Sequence, residues 1–139
     1  MYLLDTNVIS EMRKLKSGRA APNVQHWANS VPTSQLYVSV ITLLELKFGV
    51  LQLMRKDIRQ GQILKEWLFD QVLVLFADRI LLVDSEIALR CAELHVPITA
   101  SRYDSLIVAT ALVHNMTVVT SNTADFVSTG VPVLNPWQA

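Results

Sequence analysis

Cysteine occurs once in the 139 residues, as Cys91, and histidine only three times. A single cysteine excludes an intrachain disulfide framework and fits a reducing compartment. His26, His95 and His114 lie apart, near predicted helix ends, and form no metal-ligand spacing. Long apolar runs are missing as well. The uncharged stretch Ser105–Ala124 contains His114, Asn115, Ser121 and Asn122, and its apolar part is too short to cross a bilayer. Only Met1–Leu4 precede the first acid, Asp5, which leaves no signal peptide to read. The expectation is a soluble, cytoplasmic protein with no membrane partner. A net charge of either sign is also lacking, with 12 basic and 12 acidic residues. That balance argues against tight nonspecific binding of nucleic acid.

What is present suits one domain spanning 1–139. Apolar residues make up 51% of the chain, enough for one sizeable core without staples. The charge is unevenly spread. Residues 1–70 carry nine basic and six acidic side chains (+3), and residues 71–139 carry three and six (−3). No internal repeat, linker or low-complexity tract is visible.

Short apolar runs predict strands at Tyr2–Leu4, Leu36–Val40, Ile80–Val83, Thr117–Thr120 and Val131–Leu134. Helices are expected over Thr6–Met12, Pro22–Asn29, Thr42–Met54, Asp57–Phe76, Asp84–Leu94 and Ser101–Asn115, with a short one over Asn122–Phe126. Pro22 suits a first helical position, Asp84 an N-cap and Asn115 a C-terminal stop. Gly61 weakens the first turns of the fourth helix. Strands that are continuously apolar and alternate with helices predict an α/β fold, a central parallel sheet covered on both faces.

In such sheets, sites lie beyond the carboxyl ends of the strands. Asp5 ends the first strand, and Glu45 is expected in the first turn of the helix after the second. Asp104 is expected in the first turn of the helix leading into the fourth strand, and Asp125 in the short helix after it. A simpler reading competes. Thr42-x-x-Glu45 has capping-box spacing, with Ile41 and Leu46 as its staple. Ser101-x-x-Asp104 and Asn122-x-x-Asp125 share that spacing, and Asp5 could be an N-cap. The surroundings favour a site. Glu45 sits among Leu43, Leu44, Leu46 and Phe48, and Asp104 among Tyr103, Leu106, Ile107 and Val108. Carboxylates there are costly unless paired or bound to metal. Lys47 and Arg102 are the nearby cations, both expected on exposed faces. A purely oxygen donor set favours Mg²⁺ or Mn²⁺ over Zn²⁺. Neutralising the four acids would leave the remainder at +4 (12 basic against eight acidic), modest support for a polyanionic partner.

These residues fall into motifs that resemble the PIN-domain family, in particular VapC-like and FitB-like toxins of bacterial toxin–antitoxin pairs. The segments are Leu3–Glu11 (LLDTNVISE), Val40–Leu46 (VITLLEL) followed by Gly49, and Asp104-x-x-Ile107-x-Ala109-Thr110-Ala111. Thr117–Asn122 with Asp125 and Phe126, and the ending Asn135-Pro136-Trp137, complete the set. The resemblance implies an α/β/α sandwich and a metal-dependent endoribonuclease. Asp5, Glu45 and Asp104 are implied as catalytic metal ligands, Asp125 as a fourth acid, and Thr6 and Asn122 as supporting groups beside them. It implies an RNA substrate, a small inhibitory antitoxin, a homodimer, and contact with promoter DNA only through the antitoxin. Ser121 stands where relatives often carry Arg, so a basic contact to RNA is expected to be missing.

Two other readings were open to the residues. A Mg²⁺-binding phosphatase or receiver-like domain also uses an Asp after its first strand. Here Asn7 replaces the second Asp of the haloacid-dehalogenase motif, and no late lysine follows. A catalytically silent regulatory binding module is the other, and four retained acids argue against it, because an idle acidic pocket is self-repelling. On the surface side, Leu51, Leu53, Met54, Trp67 and Phe69 cannot all face inward on regular helices. The third and fourth helices are therefore expected to present an interface to the antitoxin.

Overall fold

The structure is a computed structural model of the whole chain, and it describes residues 1–96 and 102–139. Ser101 and the side chain of Arg102 lie outside the described residues.

Five short strands form one sheet: β1 (Tyr2–Leu4), β2 (Leu36–Ser39), β3 (Ile80–Leu81), β4 (Thr117–Val119) and β5 (Val133–Leu134). Their spatial order is β3-β2-β1-β4-β5, and every pairing is parallel. Leu3 pairs with Tyr37 on one side and with Val118 on the other, so β1 is central. The chain leaves β1 toward β2 and later returns to β4 on the opposite side. The carboxyl end of β1 is therefore a topological switch point, where open α/β sheets form their crevices.

The helices are α1 (Thr6–Met12), α2 (Pro22–Ser30), α3 (Val40–Lys56), α4 (Ile58–Trp67), α5 (Leu73–Leu75), α6 (Ser85–Leu94), α7 (Arg102–His114) and α8 (Ala124–Val127). Alternation along each strand assigns them to two layers. Leu4 and Val119 join Val8, Trp27, Leu46, Val50, Leu68 and Phe76 in one core. Leu3 and Val118 join Ile107, Val108, Ala111 and Phe126 in the other. The α/β/α sandwich expected from the sequence is present. No helix among the described residues is long and apolar enough to cross a membrane.

Several boundaries differ from the sequence reading, each for a physical reason. The third helix begins at Val40 rather than Thr42, because the Ser39 side chain caps it, accepting from Ile41 N at 3.0 Å. The competing reading of Thr42 and Glu45 as a capping box is therefore not met. Thr42 lies inside the helix, and its Oγ1 is buried with no hydrogen-bond partner among the described residues. The segment from Asp57 to Phe76 is not one regular α-helix. Asp57 caps α4, accepting from Gln60 N at 3.1 Å, and a π-helical turn spans Leu68–Val72 before α5. Leu64, Leu68, Val72 and Phe76 recur every four residues, which drifts about 40° per step on a 3.6-residue helix. The wider turn corrects that drift and keeps Leu68, Val72 and Phe76 buried in one line.

Gly61 is buried, and a Cβ there would stand 2.7 Å from Met54 Cα and 2.8 Å from Met54 N. Glycine at this position allows the α3–α4 hairpin to close. Asn115 ends α7 at a positive φ of 55°, as its predicted stop role requires. On the outer surface of α3, Leu44, Phe48 and Leu51 are exposed in one stripe, and Phe69 is exposed nearby in sequence order after α4. Met54 and Trp67 instead pack against the core, so the five apolar residues named above divide between interior and surface.

Candidate metal centre

The site is assembled at the carboxyl end of β1. Asp5 is the N-cap of α1, with Oδ1 accepting from Thr6 N at 2.8 Å. Asp5 N donates to Val119 O at 2.9 Å, which locks the turn after β1 to the end of β4. The side chain is buried, and its second oxygen accepts from Thr120 Oγ1 at 2.8 Å and Asn7 Nδ2 at 3.3 Å. The N-cap reading of Asp5 is thus correct, yet capping occupies only one carboxylate oxygen.

Glu45 approaches from the second turn of α3, not the first, since the helix starts earlier than its sequence suggests. It is half-buried and accepts from Thr6 Oγ1 at 2.7 Å. Asp104 stands in the first turn of α7 and Asp125 in that of α8. Asn122 Nδ2 donates to Asp125 Oδ2 at 2.5 Å. Thr6 and Asn122 thus each hold one of the four acids.

Electrostatics show that the acids share one neighbourhood. Burial raises Asp5, partly offset by its bonds from Thr120 and Thr6. Burial also raises Glu45, opposed by the Thr6 hydrogen bond and reinforced by the charge of Asp5. Asp104 is pushed up to about 6 by burial, then by the charges of Asp5, Glu45 and Asp125. One carboxylate that feels the other three is what a single acidic centre requires. Among the described residues none of the four has a salt-bridge partner. Lys47, a candidate neighbour by sequence, instead places Nζ 4.9 Å from the centroid of the Phe69 ring.

Sequence reasoning gave no role to Thr120 or to Asn7 in this network. Thr120 is fully buried, bonds Asp5, and accepts from Asn122 N at 3.0 Å and Asn7 Nδ2 at 3.2 Å. Asn7 Oδ1 accepts from Ser121 N at 3.3 Å. Together they tie the loop after β1 to the loop after β4. The available signal was that Thr120 follows the apolar run of β4 just as Asp5 follows that of β1.

The donor chemistry fits a hard divalent cation: carboxylate oxygens, with no soft ligand and no neutralising base among the described residues. Among the described residues, no three His, Cys, Asp or Glu side chains are gathered tightly enough to enclose an ion alone. An ion here would keep water in its shell, as Mg²⁺ commonly does with one or two protein carboxylates.

The PIN-domain sequence profile matches residues 2–131. The chain belongs to the PIN-domain family. It is 39% identical to Toxin FitB of Neisseria gonorrhoeae, over 99% of both chains. It is 34% identical to the VapC ribonuclease Y4jK of Sinorhizobium fredii, again over 99% of both. The crystal structure of FitAcB from Neisseria gonorrhoeae superposes with a TM-score of 0.88 at 35% identity, covering 100% of each chain. Both sequence similarities run along nearly the whole chain.

Proposed function

We propose that this chain is a metal-dependent endoribonuclease, the toxin of a type II toxin–antitoxin pair, acting in the cytoplasm. One observation carries the reading: burial, and then the charges of Asp5, Glu45 and Asp125, push Asp104 up to about 6, and among the described residues none of the four acids has a basic partner. Family membership and the ribonuclease and toxin names of the relatives support it.

Asp5, Glu45, Asp104 and Asp125 would hold Mg²⁺ or Mn²⁺. The bound ion would activate water and neutralise charge developing at the phosphodiester. The protein's own part is positioning. Thr120 and Asn7 fix one oxygen of Asp5, and Thr6 fixes Glu45. Asn122 orients Asp125. Asp5 and Thr120 are buried, and the hydrogen bonds hold the other side chains, so little reorganisation is needed when substrate arrives. The N-terminal ends of α1, α7 and α8 favour the ionised acids that a cation needs.

The partners proposed are an RNA substrate, a small inhibitory antitoxin and a second copy of the chain, with promoter DNA reached only through the antitoxin. The exposed stripe of Leu44, Phe48 and Leu51 gives the antitoxin an apolar surface. The test is cleavage of mixed-sequence RNA by purified protein. Cleavage in Mg²⁺ or Mn²⁺ that stops in EDTA and in Asp5→Asn supports the reading. Folded protein that leaves RNA intact at millimolar metal rejects it.

A further inference from the structure

The acidic centre repels a polyanion until a cation fills it, and Ser121 supplies no positive charge beside it. An RNA strand therefore needs an anchor elsewhere on the surface. α1 begins at the centre with Thr6, and the loop after it carries Arg13, Lys14, Lys16 and Arg19, all exposed. From Thr6 to Arg13 the helix advances about 10 Å, a distance that a few nucleotides span.

Ser10, Arg13, Lys14 and Arg19 line a surface recess of about 350 Å³, and no acidic side chain lines it. The neighbouring charges are accounted for. Glu11 pairs with Lys14 at 3.1 Å and also accepts from Ala21 N at 2.9 Å. Glu66 and Asp70 line the adjoining groove, where Arg13, Lys16 and Arg19 also stand. Neither Arg13 nor Arg19 has a salt-bridge partner among the described residues. Both are also pre-oriented. The Arg13 guanidinium lies 5.8 Å from the Trp67 ring centroid, and Arg19 Nε donates to Ser17 Oγ at 3.1 Å. The terminal nitrogens of Arg19 remain available for a bidentate contact, the geometry that suits phosphate.

We propose that this recess binds phosphodiester groups of the RNA strand, a few nucleotides from the bond that is cut. The inference rests on the ribonuclease reading and adds to it a binding site outside the acidic centre. Arg19 and Arg13 grip the phosphate oxygens, Lys14 adds charge and Ser10 donates from its hydroxyl. Because the contacts are to the backbone, they position the strand without reading its sequence.

The experiment is a salt titration of binding between the intact protein and a fluorescein-labelled single-stranded RNA in EDTA. It compares wild type, the pair Lys14→Gln with Arg19→Gln, and the charge-matched pair Arg55→Gln with Lys56→Gln outside the recess. Each lost phosphate contact lowers the slope of log K against log salt by about 0.7 for a single strand. The recess pair is expected to lower it by about 1.4 and to weaken binding about tenfold at low salt. In Mg²⁺, KM for RNA should rise while kcat changes little. The Arg55, Lys56 pair should keep the wild-type slope. Should the double variant fail to fold, Arg19→Gln alone serves, with an expected change of about 0.7. Wild-type slope and KM in a folded recess variant, with wild type cleaving RNA normally, overturn this site and leave the ribonuclease reading intact. The same holds if the recess variant keeps RNA but loses a poly-glutamate peptide, because the occupant is then an acidic protein segment. A wild type that neither binds nor cleaves RNA overturns both.

Discussion

The Thr6 hydroxyl donates to Glu45 Oε1 at 2.7 Å, joining the first residue of α1 to a carboxylate 39 positions later in the chain. That bond fixes Glu45 relative to Asp5, whose own oxygen accepts from the Thr6 backbone. It also lowers the Glu45 pKa against the upward push of burial. Thr6→Val keeps the shape and removes the donor. Hydrogen bonds to charged groups contribute about 1.5–3 kcal/mol, so RNA cleavage should fall by about tenfold or more. Thr6→Ser should retain most of the rate, and steady-state kinetics of the two variants decide the matter.

The acids also set the stability of the metal-free protein against pH. Asp104 has a folded pKa of about 6 against an ordinary value of 3.8, so the folded state holds its proton more tightly than the unfolded state. Stability from this group is greatest below about pH 4 and is lost as pH rises through 6. Asp5 and Glu45, also raised, act in the same direction. Asp104→Asn should therefore stabilise the metal-free protein at pH 7. Partial exposure limits the gain to about 1–2 kcal/mol. Urea unfolding in EDTA at pH 4.5 and pH 7 measures it, and an equal effect at both pH values would rule out this origin.

Two glycines on the same hairpin should respond in opposite senses. At Gly61 a Cβ would meet the backbone of Met54, so Gly61→Ala must push α3 and α4 apart, at about 1–3 kcal/mol. Gly49 lies within α3 with nothing within 4 Å of a built Cβ. Gly49→Ala should stabilise by about 0.5–1 kcal/mol, the helix-propensity difference. Urea midpoints of both variants test the pair.

The sandwich was legible because β1, β2 and β4 are unbroken apolar runs and the helices between them carry clear caps. Asp84 accepts from Ile87 N at 2.9 Å as its position suggests, and Asn115 terminates α7. That the four acids share one neighbourhood could be read from their places after strands or near helix starts, in apolar surroundings. The start of α3 was not. Ser39 and Thr42 are both competent caps, and the choice depends on where β2 stops pairing with β3, a tertiary fact. The π turn was hidden for a similar reason. A repeat of four reads as α-helical until the position of the core line demands otherwise. Thr120 and Asn7 escaped because their roles exist only once β1 and β4 lie side by side.

Leu44, Phe48 and Leu51 lie along the outer face of α3, exposed by 43%, 58% and 50%, more surface than a solitary helix needs. Phe48→Glu with Leu51→Glu should abolish antitoxin binding, as read by calorimetry, while leaving RNA cleavage and the melting temperature close to wild type. Met54→Glu is the wrong probe, because Met54 packs against the core. Undiminished binding by the folded double variant would place the antitoxin elsewhere.

That Asp5, Glu45, Asp104 and Asp125 form one metal centre is tested most directly by anomalous diffraction at the manganese edge from crystals soaked in Mn²⁺. The account predicts a manganese peak among these four carboxylates, with Asp104 ionised toward it and water completing the shell. Well-ordered carboxylates with no manganese between them at saturating Mn²⁺, in protein that still cleaves RNA, would contradict it.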